Sequence, residues 1–71
     1  MAQTEKIFVE LLDEGVTVWA PVTARTLPGG LYALPESSPE DQTWAIAPGS
    51  VVRCERRGSD LVAVEVVAAP G

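Results

Sequence analysis

The chain has 71 residues, the size of one small domain, and its 46% hydrophobic content argues against intrinsic disorder. One cysteine and no histidine exclude an intrachain disulfide and argue against a structural zinc site. The net charge of −5 produces an average field that repels nucleic-acid phosphates and anionic membranes and attracts a basic protein.

The N-terminal segment Met1–Lys6 has no apolar stretch behind a basic start. Nowhere does an apolar run approach the roughly 20 residues that span a bilayer. We therefore expect no signal peptide, no membrane span and a cytoplasmic location. The single Cys54 agrees with a reducing compartment.

The clearest structural signal is a period of two over Val16–Ala24. Valine and alanine occupy every second position, and Thr17, Trp19 and Arg25 are among the residues that alternate with them. This alternation is typical of a half-buried strand, with the small aliphatic side chains inward. Pro21 lacks a backbone donor, so we expect an edge or a bulge at that point of the strand.

Turn signals divide the rest of the chain into further short strands. Glu14-Gly15, Leu27–Gly30 and Gly58–Asp60 are typical of tight turns, and Ala47–Ser50 fits a type II turn with Gly49 third. The polar, proline-containing segment Pro35–Gln42 predicts a surface loop. The predicted strands are Lys6–Asp13, Val16–Ala24, Leu31–Leu34, Thr43–Ile46, Val51–Arg57 and Leu61–Ala68.

This spacing predicts an all-β fold, a small antiparallel SH3-like barrel or roll of five to six short strands in a meander. We expect one domain over residues 6–68, with a disordered tail at 1–5 and a tail at 69–71. In so short a chain, a bent barrel or two layers of sheet is the economical way to cover both faces.

Trp19 is the first candidate for function. The alternation places it on the outer face of its strand, where an indole offers a large rigid contact area with a polar tip. The other interpretation is that the strand twists near Pro21 and Trp19 caps a small second cluster. Both interpretations stay open at this stage.

The remaining large rings are Phe8, Tyr32 and Trp44. We expect Trp44 to belong to the core. If Trp19, Tyr32 and Trp44 converged on one face, they could form a groove for an extended peptide or a methylated cation.

Charged and nucleophilic residues give little sign of chemistry. The carboxylates of Glu36, Glu40 and Asp41 lie in the predicted loop without the spacing of a calcium site, and we expect a polar rim. Arg53 is expected to pair with Glu65 across the sheet, and an anion site on the arginines is the alternative. Cys54 has no histidine base and is expected to point inward. We therefore predict no catalytic, cofactor or metal residues.

Three stretches resemble a group of short, uncharacterised bacterial proteins: Val18–Val22 (VWAPV), Gly29–Tyr32 (GGLY) and Trp44–Cys54 (WAIAPGSVVRC). The PGSVV step at Pro48–Val52 is also similar to one common in SH3-like barrels, and the Trp-containing strand is similar to that of Tudor-type barrels. The chain lacks the full aromatic cage of Tudor readers, which counts against methyl-lysine binding.

These observations favour a noncatalytic protein- or peptide-binding module with a protein partner, and the acidic net charge favours a basic one. The alternatives are a structural subunit that adds an edge strand to a homodimer, and an acidic inhibitor that mimics nucleic acid. The candidate partner-binding residues are Trp19, Thr17, Thr23, Arg25, Tyr32, Glu36, Glu40 and Asp41.

Overall fold

Five strands form one closed barrel in the computed structural model, which describes residues 3–12 and 14–70. The predicted all-β barrel is therefore confirmed, with five strands rather than six. The strands are β1 (Thr4–Leu11), β2 (Val18–Leu27), β3 (Leu31–Ala33), β4 (Val51–Arg57) and β5 (Asp60–Ala68).

Consecutive strands pair antiparallel, as the predicted meander requires. The β1–β2 ladder runs without a register shift from Thr4↔Arg25 to Leu11↔Val18. Because five is an odd number, β5 returns parallel to β1, and the two strands share one bridge, Phe8↔Val62. This closure is the one parallel pairing among the described strands.

The predicted alternation on β2 is confirmed over most of its length. Ala20, Val22 and Ala24 are buried, and the residues between them face outward. Ile7 and Val9 of β1 are fully buried opposite them. β1 and β2 therefore supply much of the barrel core. The remaining residues of the core are Leu11, also on β1, and Leu34, Trp44, Val52 and Ala63.

The starts of β1 and β2 each differ from the prediction by two residues. Val16 was expected to point inward, but it is 74% exposed and precedes β2, because the turn at Gly15 (φ +77°) delays the strand until Val18. β1 begins at Thr4 rather than Lys6, so Thr4 and Glu5 belong to the barrel and not to a tail. The reason is the length of β2, whose Arg25 and Ala24 provide partners for them.

The predicted strand Thr43–Ile46 is wrong: this stretch makes a single bridge, Trp44 to Leu11. Its backbone is held on both sides of the bridge, where Leu12 N–H donates to Thr43 O at 2.7 Å and Ala45 N–H donates to Glu10 O at 2.8 Å. The segment between β3 and β4 thus folds over β1 and inserts Trp44 into the barrel. Trp44 is 8% exposed, which confirms its predicted place in the core.

The type II turn before β4 is confirmed. Gly49 has φ +84°, and Ser50 N–H donates to Ala47 O at 3.2 Å. Positive φ also occurs at Gly29 and Gly30, in the tight turn predicted between β2 and β3.

The β4–β5 ladder contains two register shifts, between Val51 and Val52 and between Arg53 and Cys54. The predicted pair of Arg53 and Glu65 is confirmed, with Nε donating to Oε1 at 2.8 Å. Cys54 packs against the core and is half-buried, in line with the inward orientation expected for it.

Candidate binding surface

The outer side of the β1–β2 hairpin is built from alternate residues of both strands. Since Ile7 and Val9 face the core, Lys6, Phe8 and Glu10 face outward. Their ladder partners on β2 are Thr23, Pro21 and Trp19, respectively. We call these six residues the outer hairpin face.

The centre of the outer hairpin face is apolar. Phe8 lies directly opposite Pro21, and Trp19 is its diagonal neighbour, within the reach of large side chains. The ammonium of Lys6 lies 5.6 Å from the centroid of the Phe8 ring, a cation–π distance. The charges of Lys6 and Glu10 therefore flank a small apolar centre on opposite sides.

The two indoles occupy opposite sides of the barrel wall. Trp19 is 36% exposed on the outer hairpin face, whereas Trp44 is 8% exposed and donates from Nε1 to Gln42 Oε1 at 3.1 Å. Of the two interpretations that the sequence left open for Trp19, the structure supports the outward one, because β2 has no register shift near Pro21. Leu12 and Val16, next to the turn at the end of the hairpin, are further exposed apolar side chains.

A groove opens where β3 leaves β2. It has a volume of about 390 Å³ and lies between Thr23 and Arg25 on one side and Leu34, Pro35 and Glu36 on the other. It exists because β3 pairs with only the last three residues of β2 before the chain turns towards Gly49. The groove brings together three of the predicted site residues, Thr23, Arg25 and Glu36.

The other predicted site residues lie elsewhere. Thr17 is exposed beside Val16 and lines a second, shallower depression of about 290 Å³. Tyr32 is half-buried and packs against the core cluster. Glu40 and Asp41 are exposed on the long loop, and neither lines the groove.

Trp19, Tyr32 and Trp44 do not converge on one face, so the groove that depended on that condition does not form. Trp44 fills the interior, Tyr32 packs on the core, and Trp19 faces outward. The aromatic neighbour of Trp19 is Phe8 instead. Alternation could have placed Phe8 on the outer face, because it lies between two residues that the core requires, but only the β1–β2 register places it next to Trp19.

The arginines and the thiol offer little reactivity. Arg53 pairs with Glu65, whose hydrogen bond and charge raise the pKa of the guanidinium, and Arg57 lies 3.6 Å from Glu55. Burial raises the pKa of the Cys54 thiol, so the thiolate is disfavoured. Within residues 3–12 and 14–70, no three His, Cys, Asp or Glu side chains are grouped as a metal site would require.

Comparison with protein-family models, with curated proteins and with solved structures finds no match to this chain. The described residues include no helix of a length and hydropathy that could cross a membrane. Function is therefore inferred from the geometry of the outer hairpin face and the groove.

Proposed function

We propose that this chain is a noncatalytic protein- or peptide-binding module that docks its partner on the outer hairpin face. The observation that carries the proposal is the position of Trp19. In a small barrel with two tryptophans, one indole fills the core and the other lies outside, beside Phe8 and Pro21. An exposed indole on a sheet gives a partner a large, rigid contact area at low entropic cost.

The chemistry of the chain supports a binding role over a catalytic one. A nucleophilic cysteine needs a base and a lowered pKa, but the chain has no histidine and the pKa of Cys54 is raised. A serine–histidine triad is likewise impossible without histidine.

The partner proposed here is a protein, and a basic one is favoured by the net charge of −5. The charge acts through the long-range field rather than through one acidic rim. Of the three loop carboxylates, only Glu36 lies at the groove, and Arg25 lies opposite it. Association should therefore slow as salt rises, because salt screens the long-range attraction.

The test compares Trp19→Ala with a matched control, Val67→Ala, which truncates an exposed apolar residue on β5. Each purified protein is used to capture partners from a lysate of its source cells. A captured protein is then purified and titrated against all three forms. We expect Val67→Ala to bind as the unaltered chain does, and Trp19→Ala to bind at least 30-fold more weakly. Equal affinity for all three forms would refute docking at Trp19.

A further inference from the structure

The first seven residues of β2 have an open edge. Residues 18–24 pair with β1 on one side, whereas β3 pairs only with Arg25, Thr26 and Leu27 on the other. No described residue forms a ladder with Trp19, Pro21 or Thr23 on that second side. β2 also carries no register shift, so the open edge is regular.

The direction of the backbone groups along this edge follows from one hydrogen bond. Thr26 N–H donates to Gln3 O, on the β1 side, at 2.9 Å. Backbone groups alternate in direction along a strand, so Ala24, Val22 and Ala20 also bond to β1. Trp19, Pro21 and Thr23 then direct their backbone groups away from β1, which leaves three carbonyls and two N–H donors at the open edge.

Pro21 makes this edge unsuitable for a second copy of the chain. In any antiparallel pairing of two β2 edges, each copy brings its own proline, so the ladder lacks two donors and leaves two carbonyls unbonded. A partner strand without proline leaves only one carbonyl unbonded. The arrangement therefore favours a different polypeptide over self-association.

The partly open edge of β5 is less suitable. Its two register shifts leave Val64 and Val67 without ladder partners on β4, because Cys54 pairs with Ala63, Arg53 with Glu65, Val52 with Val66 and Val51 with Ala68. Such bulges bend a strand and interrupt the regular spacing of donors and acceptors that an added strand needs.

We propose that the partner binds as an extended strand added to the open edge of β2 at Trp19–Thr23. This proposal rests on the proposed function and specifies its mode. Only an extended backbone supplies donors and acceptors at the spacing of the edge, and the bonds formed would be independent of the partner's sequence. The groove between Thr23 and Glu36 lies in line with the edge and receives a side chain of the partner, which gives selectivity.

The probe is a linear dodecapeptide selected on the full chain from a random display library. The selected peptide is synthesised with a methyl group on each backbone nitrogen in turn. We expect an alternating pattern: methylation of every second residue weakens binding at least tenfold, and methylation of the residues between has little effect. Because the scan changes only the peptide, a loss of binding cannot come from misfolding of a protein variant.

Variants of the edge provide a second measurement. Thr23→Pro removes an outward N–H that β1 does not use, and Thr23→Val changes the side chain but keeps that donor. We expect Thr23→Pro to bind the peptide at least tenfold more weakly and Thr23→Val to bind within about threefold. Pro21→Ala restores a donor and should tighten binding about fivefold, the equivalent of one hydrogen bond.

The outcomes separate this proposal from the proposed function. A flat methylation scan with an unaffected Thr23→Pro would overturn strand addition, as would failure to select any peptide. If the methylation scan were flat but Trp19→Ala still abolished binding, the partner would dock on the outer hairpin face by its side chains and not by strand addition. If Trp19→Ala also bound normally, both proposals would be wrong.

Discussion

Replacing each tryptophan by alanine separately should have unequal effects on stability. The chemical change is the same at both positions, so the difference measures location alone. Trp19 is 36% exposed and Trp44 is 8% exposed. A tryptophan has about 250 Å² of surface to bury, so the two differ by about 70 Å², or about 2 kcal/mol at roughly 25–30 cal/mol per Å².

A cavity increases this difference. Trp44→Ala leaves an enclosed space among core residues such as Leu11, whereas the space left by Trp19→Ala fills with water. A buried tryptophan replaced by alanine typically costs about 3–5 kcal/mol. A chain of 71 residues is stable by roughly 4–10 kcal/mol at about 0.05–0.15 kcal/mol per residue. Trp44→Ala should therefore leave the domain barely folded, and Trp19→Ala should leave it folded with a loss of about 1–2 kcal/mol.

Urea unfolding followed by far-ultraviolet circular dichroism measures both free energies of unfolding. The two single-tryptophan forms Trp19→Phe and Trp44→Phe add an independent measurement. The fluorescence of the first should be blue-shifted, since only the buried Trp44 remains, and that of the second red-shifted. If Trp19→Ala lost as much stability as Trp44→Ala, Trp19 would be a core residue and the proposal of docking on the outer hairpin face would be refuted.

Other predictions concern backbone strain, the thiol and the open edge of β2. Gly49→Ala should destabilise the fold by more than Gly29→Ala: both glycines have positive φ, but only at position 49 does an added Cβ meet another atom, Pro70 Cβ at 3.3 Å. If the two variants lost equal free energy of unfolding in urea, the contact with Pro70 would contribute nothing to the difference. Because burial raises the pKa of Cys54, its contribution to stability is complete below the pKa of the unfolded thiol and is lost as pH rises through the folded pKa. The urea midpoint of unfolding should then fall in alkaline solution, and Cys54→Ala should reduce that fall. If the variant and the unaltered chain lost stability identically with pH, Cys54 would not be the group responsible. Pro21→Val should raise self-association, because it restores the backbone donor that each copy lacks at the β2 edge. Sedimentation equilibrium measures this. If the variant self-associated no more than the unaltered chain, Pro21 would not be what prevents pairing at this edge.

Local patterns predicted much of the barrel because local rules determine it. Period two fixed the orientation of Ala20, Val22 and Ala24, and glycines at turns fixed where Gly29 and Gly49 reverse the chain. Of the edge or bulge expected at Pro21, the structure has the edge, since a residue without an N–H cannot serve two neighbouring strands.

The candidate site was harder to predict because it depends on which strands lie side by side. Trp19 faces outward by alternation alone, but its neighbour Phe8 is known only from the β1–β2 register. Glu36 joins Thr23 and Arg25 only because β3 ends at Ala33 and the chain turns there. The sequence placed the end of this strand one residue later, at Leu34, which is apolar and buried like a strand residue, but no sequence pattern shows that the chain turns there towards Thr23.

The sixth predicted strand had a consequence for how the barrel closes. In a meander each strand reverses the direction of the one before, so six strands would close antiparallel and five must close parallel. With Thr43–Ile46 outside the ladder, β5 meets β1 in parallel through the one bridge Phe8↔Val62. The next stretch of the β1 edge is covered instead by the backbone of Thr43 and Ala45, which bonds to Leu12 and Glu10. The segment that resembled a strand in sequence therefore completes the barrel wall, and its Trp44 fills the space inside. This leaves Trp19 outside the wall, where the core does not need it and solvent reaches it.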